Sequence, residues 1–159
     1  MEETKILDDL RRTFPGKILV TSAALGDTTI FIQKEALREI AEFLKKKPYN
    51  FTMLLDLTCV DRPGSAERFE MVYHLYALGS KLRLRLKVGL PESGPSVDSL
   101  SPLWKNANWL EREIFDMFGV EFRGHPDARR LLMYDGFEGH PLRKDYPFKK
   151  RQPIIPLRK

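Results

Sequence analysis

A single cysteine, Cys59, stands among the 159 residues of this sequence. One thiol excludes an intramolecular disulfide, a cysteine-ligated iron–sulfur cluster and a four-cysteine zinc site, and it points to a reducing compartment. Long apolar runs are missing too: none approaches the ~18 residues a membrane-spanning helix requires, so any membrane association is expected to come through partners. The opening MEETKILDDL begins with acids. It has neither the apolar centre of a secretory signal nor the Arg- and Ser-rich, acid-poor bias of a transit peptide. Glycine-rich phosphate turns of the G-x-G-x-x-G or G-x-x-x-x-G-K-[ST] type do not occur, which removes the usual support for a Rossmann or P-loop nucleotide site. No G-x-S-x-G elbow backs a Ser/His/Asp arrangement, so a stand-alone hydrolase rests on chance groupings.

What is present suffices for one packed domain. Hydrophobic residues make up 42% of the chain, enough for a core at this length. Charged residues make up 31%, with 27 Lys and Arg against 22 Asp and Glu, a net charge of +5. Their interspersion argues against disorder. A basic balance suits nucleic acid, anionic lipid or an acidic protein, and does not choose among them.

Ile6, Leu7, Leu10 and Phe14 recur at helical spacing until Pro15-Gly16 stops them. Lys17–Ser22 and Thr28–Gln33 are rich in β-branched and apolar residues around a Gly26-Asp27 turn, the pattern of a hairpin. Leu37, Ile40, Ala41 and Leu44 line one face of a second helix that ends in three lysines and Pro48. Phe51–Val60 is almost continuously apolar, as expected of a strand buried on both faces; Arg68–Leu78 is mixed, and Lys81–Leu90 alternates strictly. These three predict an antiparallel meander. Pro91–Pro102 reads as a loop, and a last helix is predicted from about Leu103 to Phe118, closed by Gly119. The expected fold is therefore α+β, a two-layer domain with a mainly antiparallel sheet and helices on one face, over residues 1–122. From residue 123 to 159 proline and glycine break every period, which predicts an extended C-terminal tail that wraps a partner.

The last helix carries the most specific signal. At 100° per residue Ala107, Leu110, Ile114, Phe115, Met117 and Phe118 form one apolar arc, and Glu111 falls inside it. A buried carboxylate needs a partner, and Arg129 and Arg130 of the following segment are the natural candidates. Arg112, Glu113 and Asp116 point the other way, with Arg112 and Asp116 spaced for a surface pair. A structural role for Glu111 is favoured over catalysis, because no pocket partner for a general acid or base is visible. His74, His125 and His140 lack metal-ligand spacing and read as hydrogen-bonded structural histidines. Lys81, Arg83, Arg85 and Lys87 share one face of their strand. That stripe reads as a solvated sheet face, since no interleaved aromatics accompany it to stack bases; a small basic nucleic-acid-binding domain is the weak alternative.

The run Glu111–Leu132, EREIFDMFGVEFRGHPDARRLL, and the downstream GFEGHPLRKDYP closely resemble the two signatures of the C subunits of NADH–quinone oxidoreductase. In the first, Glu111, Arg112, Glu113, Asp116, Gly119, Phe122, His125, Pro126, Arg129 and Arg130 match the family's pattern; in the second, Gly139, Pro141, Leu142, Arg143, Lys144, Asp145 and Tyr146 do so. The resemblance implies a subunit of the peripheral arm of respiratory complex I on the cytoplasmic side of the inner membrane, with these residues serving as framework or interface. It implies no catalytic, metal or cofactor-binding residue in this chain. FMN, iron–sulfur clusters and quinone would belong to partner subunits, and the partners would be the quinone-site and iron–sulfur subunits. Related domains in membrane-bound hydrogenases and in ferredoxin- or plastoquinone-linked complexes are the alternative that the same resemblance leaves open.

Overall fold

Alternation is strictest in Leu82–Leu90, where Leu84, Leu86, Val88 and Leu90 are all buried, and this strand occupies the centre of the sheet. The computed structural model describes residues 2–23 and 26–153; Ala24 and Leu25 of the hairpin connection, and Ile154, Ile155, Pro156, Arg158 and Lys159 of the expected tail, lie outside the described residues. In chain order the elements are α1 (Glu2–Thr13), β1 (Ile18–Ser22), β2 (Thr28–Ile32), a 3-10 turn (Lys34–Ala36), α2 (Leu37–Lys45), β3 (Met53–Asp61), β4 (Phe69–Ala77), β5 (Leu82–Leu90), β6 (Ser96–Asp98), α3 (Ala107–Phe118) and β7 (Glu121–Arg123).

Five strands pair in the order β1-β2-β5-β4-β3. The hairpin β1–β2 and the meander β3–β4–β5 are antiparallel as expected, and the two units join through a parallel β2–β5 pairing that places Ile30 opposite Leu86. One face of this sheet meets Ile6 and Leu10 of α1, Leu37, Ile40, Ala41 and Leu44 of α2, and Ile114 and Met117 of α3 in a single core. The fold is α+β, with the sheet mainly antiparallel.

Two local expectations are corrected. The apolar run from Phe51 is not buried on both faces: β3 is an edge strand, and Met53, Leu55 and Val60 are exposed. A continuous apolar run does not by itself distinguish a central strand from an edge strand with a hydrophobic outer face, and here β4 takes the central place beside β5. The last helix begins at Ala107 rather than Leu103. The preceding turn is pinned to the edge strand instead, with Trp104 Nε1 donating to Thr52 O at 3.1 Å and Asn106 Nδ2 to Leu54 O at 2.8 Å. Both bonds satisfy carbonyls beside the outer edge of the sheet, a place where unpaired backbone invites aggregation.

The 91–102 segment also holds β6, which pairs in parallel with β7 from beyond α3, Val97 opposite Phe122. Three-residue strands carry too few positions for a period, so neither was foreseen. Their pairing brings the entry and exit of α3 together. Gly119 closes α3 in the left-handed conformation, φ 72°, with its N–H donating to Phe115 O at 2.8 Å.

Candidate functional site: the two carboxylates of the last helix and the segment they hold

Glu111 and Asp116 on α3 are both fully buried. For Glu111 the arc predicted this, but the expected arginine partner is not there. Ser99 Oγ donates to one carboxylate oxygen at 2.6 Å and the Leu100 N–H to the other at 2.6 Å. His125 Nε2 stands 3.8 Å away, yet it faces the Asn108 carbonyl at 3.1 Å, while Nδ1 accepts the Asp127 N–H at 3.0 Å. These two bonds assign His125 the neutral, Nε2-protonated tautomer, so it supplies no cation. Burial consequently raises the Glu111 carboxyl from its ordinary 4.5 to about 7, although the Ser99 and Leu100 bonds pull the other way. The contrast with the expectation has a simple cause: the β6–β7 pairing delivers the Ser99–Leu100 turn to this point first.

Asp116 and Arg112 do not form the expected surface pair. Asp116 lies on the polar side of the helix by angular arithmetic, but the chain after Arg123 returns over that side and covers it. Oδ2 accepts three consecutive backbone N–H groups, from Leu131, Leu132 and Met133, at 3.1, 2.8 and 2.8 Å, and Oδ1 accepts Arg130 Nη1 at 2.7 Å. Burial alone would raise this carboxyl; the Met133 N–H, the Arg130 guanidinium and the neighbouring N–H groups outweigh it and hold the group below the usual carboxylate range. Arg112 turns the same way. Its guanidinium donates to the carbonyls of Arg129 and Arg130, both at 3.0 Å, approaches Asp127 at 3.5 Å and lies over the Trp109 ring. Glu113 is exposed, as expected.

The other signature residues continue this attachment. Arg130 also donates to Gly139 O at 3.0 Å and sits over Phe137, whereas Arg129 is exposed and bonds to Asp127 at 2.8 Å. Phe122 packs against the core and Pro126 is exposed. His140 Nδ1 meets the Asp116 carbonyl at 3.0 Å, and the Leu142 N–H donates to Met117 O at 3.1 Å. Pro141 is half-buried, and the Leu142 side chain faces outward. Arg143 Nε donates to Phe118 O, and its guanidinium lies over the Phe69 ring. At Gly119 a Cβ would stand 2.5 Å from His140 Nε2 and 2.6 Å from Arg143 Nη2. The residue therefore serves the helix end and the returning segment at once. At Gly139, φ 92°, a Cβ would press on the Tyr146 ring at 3.0 Å. The Tyr146 ring stacks on Phe137.

A second attachment joins Lys144 and Asp145 of the downstream signature to two residues that the sequence reading did not single out, Asp61 and Arg68. Arg68, at the entry to β4, is buried and shared among three carboxylates: it bonds to Asp61 at 2.7 and 2.9 Å, to Asp145 at 3.0 and 2.7 Å, and to Glu92 at 2.6 Å. Asp61 also accepts the Lys144 N–H at 2.7 Å. The Arg68 bond, opposed by burial, holds the Asp61 carboxyl below its ordinary range. A forked guanidinium between two carboxylates is the arrangement that best offsets the cost of burying charge. Neither Asp61 nor Arg68 lies on a periodic face that marks it, so composition gave no signal.

Other chemistry-bearing groups are spent or shielded. Burial, helped by Asp61, pushes the Cys59 thiol up to about 12, which leaves it a poor nucleophile. His74 in β4 is half-buried, and burial with the Arg85 charge lowers its pKa. Of the basic stripe, Arg85 pairs with Asp27 at 3.0 Å and Lys87 with Glu70 at 2.7 Å. Among the described residues no group of three or more His, Cys, Asp or Glu is placed to hold a metal ion, and no helix is long and apolar enough to cross a membrane. A cavity of about 340 Å³ beside α3 is walled by Phe115, Phe122 and Ala128 together with the polar groups Glu111, Arg112, Glu121 and His125.

Residues 30–152 match the family described as respiratory-chain NADH dehydrogenase, 30 Kd subunit. The chain belongs to this family. Among its relatives, the NADH-quinone oxidoreductase C subunit of Geobacter metallireducens is 45% identical over 147 residues, which cover 92% of this chain and 90% of the relative. The Roseiflexus sp. protein of the same name is 44% identical over 148 residues, 92% of this chain and 85% of that one. In structure the chain is similar to the trypsin-resistant fragment (1-134) of Nqo5, with a TM-score of 0.67 and 31% identity, covering 80% of this chain and 99% of the fragment. It also shares its fold with a chain of the membrane-bound sulfane sulfur reductase, an archaeal respiratory membrane complex, at a TM-score of 0.80 and 22% identity over 94% of this chain and 88% of that one.

Proposed function

We propose that this chain is a non-redox structural and assembly subunit of the peripheral arm of NADH–quinone oxidoreductase. In this reading partner subunits carry FMN, the iron–sulfur clusters and the quinone site, and the whole complex couples electron transfer from NADH to quinone to proton translocation. The chain itself supplies no reacting group. It sits on the cytoplasmic side of the inner membrane and touches the membrane only through those partners. Residues 1–122 act as the core and 123–159 as the partner-wrapping segment.

One observation carries the reading: five charged signature residues, Asp116, Arg112, Arg130, Arg143 and Asp145, are spent in fastening the returning segment to the core. Glu111, which borders the cavity beside α3, has both carboxylate oxygens bonded to Ser99 and Leu100, so it acts as a framework group rather than one aimed at a substrate. The fastening turns outward Leu132, Leu142 and Phe148, which are 56%, 52% and 99% exposed. Apolar side chains held outward on a fixed frame suit a protein interface. That Nqo5 has a trypsin-resistant fragment (1-134) which this fold matches supports a core able to stand apart from the segment.

The test is recovery of the tagged full chain from cells that carry the remaining subunits. Stoichiometric recovery of cluster-bearing and membrane subunits with NADH-dependent quinone reduction supports the proposal; recovery alone, or with RNA or DNA only, would overturn it. Flavin, iron or zinc bound stoichiometrically to the chain expressed by itself would refute its non-redox part.

A further inference from the structure

We propose that Phe148 is an anchor that inserts into an apolar pocket, rimmed by carboxylates, on a partner protein subunit. The inference rests on the assembly reading and names the residue and the partner chemistry that it leaves open.

Phe148 is 99% exposed, while the next most exposed large apolar side chain among the described residues, Leu78, is 65% exposed. The backbone that carries it is held in a turn. The Lys150 N–H donates to Pro147 O at 3.0 Å, closing a turn with Phe148 at its corner. Beneath that turn Tyr146 stacks on Phe137, which meets Tyr134 edge-on at 5.7 Å. Gln152 closes the platform: its amide nitrogen donates to Glu138 O at 3.1 Å and to the Tyr146 hydroxyl, and its Oε1 accepts the Glu138 N–H at 3.0 Å. The platform is tied to the core by Asp145 on buried Arg68 and by the Lys144 N–H on Asp61. Because the backbone beneath the ring is already ordered, docking has to order only the ring's own rotamer, and that smaller entropy cost is what preorganisation contributes to affinity.

The charge around the ring selects the partner. Lys150 is matched by Glu138 at 3.2 Å, and Asp145 is matched by Arg68. Lys144, Lys149 and Arg151 are exposed and have no acidic partner among the described residues. The rim around Phe148 is thus positive, and the complementary surface is acidic. A protein is favoured over an anionic membrane because one apolar side chain with a few cations gives only weak, reversible adsorption to lipid.

The test compares the full wild-type chain with Phe148→Ala, Phe148→Leu and Lys149→Glu/Arg151→Glu, each made alongside the remaining subunits. Incorporation is quantified by native mass measurement, and each isolated chain is melted. The expected result is a Tm for Phe148→Ala unchanged within about 1 °C, because the ring touches nothing it could destabilise, with incorporation affinity weakened roughly 30-fold. Phe148→Leu should recover part of it, and the charge reversal should weaken it while leaving the Tm in place. Phe148→Ala incorporating like wild type would overturn the anchor and leave the assembly reading standing. A wild-type chain that fails to incorporate would overturn both. Phe148-dependent binding to phosphatidylglycerol vesicles with unchanged incorporation would overturn the proposal in favour of a membrane.

Discussion

Glu111 and Asp116 stand on one helix, equally buried, and their surroundings drive them to opposite protonation. Glu111 faces the 99–100 turn with a hydroxyl and one N–H and no cation, so its proton is held up to about pH 7. Asp116 faces the returning segment with three N–H groups and Arg130, so it stays ionised below the ordinary range. Burial alone does not set the state of a carboxylate; the count of donors and the presence of a full charge decide it. The first site joins parts of the core to one another, and the second joins the core to the segment that presents Phe148.

The largest effect should come from the ionised side. Asp116→Ala leaves Arg130 and three N–H groups without their acceptor and should cost about 3 kcal/mol or more, whereas Glu113→Ala, on the exposed face, should cost well under about 1. Chemical denaturation of both variants checks this, and equal costs would break the distinction.

Glu111→Gln sharpens it by sign. A carboxyl whose folded pKa is raised contributes its full stability below the unfolded value, and that contribution is lost as pH rises through the folded value. The window is therefore about 4.5 to 7. The neutral amide removes this dependence. Glu111→Gln should be close to wild type at pH 4.5 and more stable than it at pH 8, by up to about 3 kcal/mol. Asp61, Asp116 and Asp145 have lowered pKa values, so their share of stability is present above the ordinary carboxylate value and lost as pH falls through the folded ones. Thermal melts across pH should show both limbs, and a Glu111→Gln profile parallel to wild type would contradict the assignment.

Next in size is Gly119→Ala, for which about 1–3 kcal/mol is expected from the left-handed backbone and the pressure on His140 and Arg143. Loss of protection in the 139–146 region as well as at the helix end would show that both roles are real. The smallest effect is expected at Tyr73, fully buried in β4, whose hydroxyl has no hydrogen-bond partner among the described residues. Tyr73→Phe removes an unpaired polar atom and should leave stability within about 0.5 kcal/mol of wild type or raise it. A loss of more than about 1 kcal/mol would mean that the hydroxyl is bonded after all.

Period was the part of this molecule legible in advance. The helices at Ile6–Phe14 and Leu37–Leu44, the hairpin and the alternating strand follow from it because each buries one face repeatedly. The edge position of β3 was hidden because Met53, Leu55 and Val60 are apolar and yet exposed. Glu111 was identifiable as buried from its place among Ile114, Phe115 and Phe118, but its partner sits in a Ser- and Pro-rich loop without any period. Asp116 was misplaced because helix geometry assigns it to the polar side, and only the returning chain converts that side into interior. Asp61 and Arg68 flank the β3–β4 connection without a period to mark them, and Asp145 lies 77 residues beyond Arg68, so only the fold brings the three together.

Hydrogen exchange of the full wild-type chain and of Asp116→Ala tests most directly whether α3 holds the returning segment as a unit separable from the core. The account predicts that the variant loses protection at the amides of Leu131, Leu132 and Met133 and of the segment beyond them, while the β4 and β5 amides stay as slow as in wild type. Equal loss of protection throughout the sheet would show that the segment is part of the core and would contradict the account.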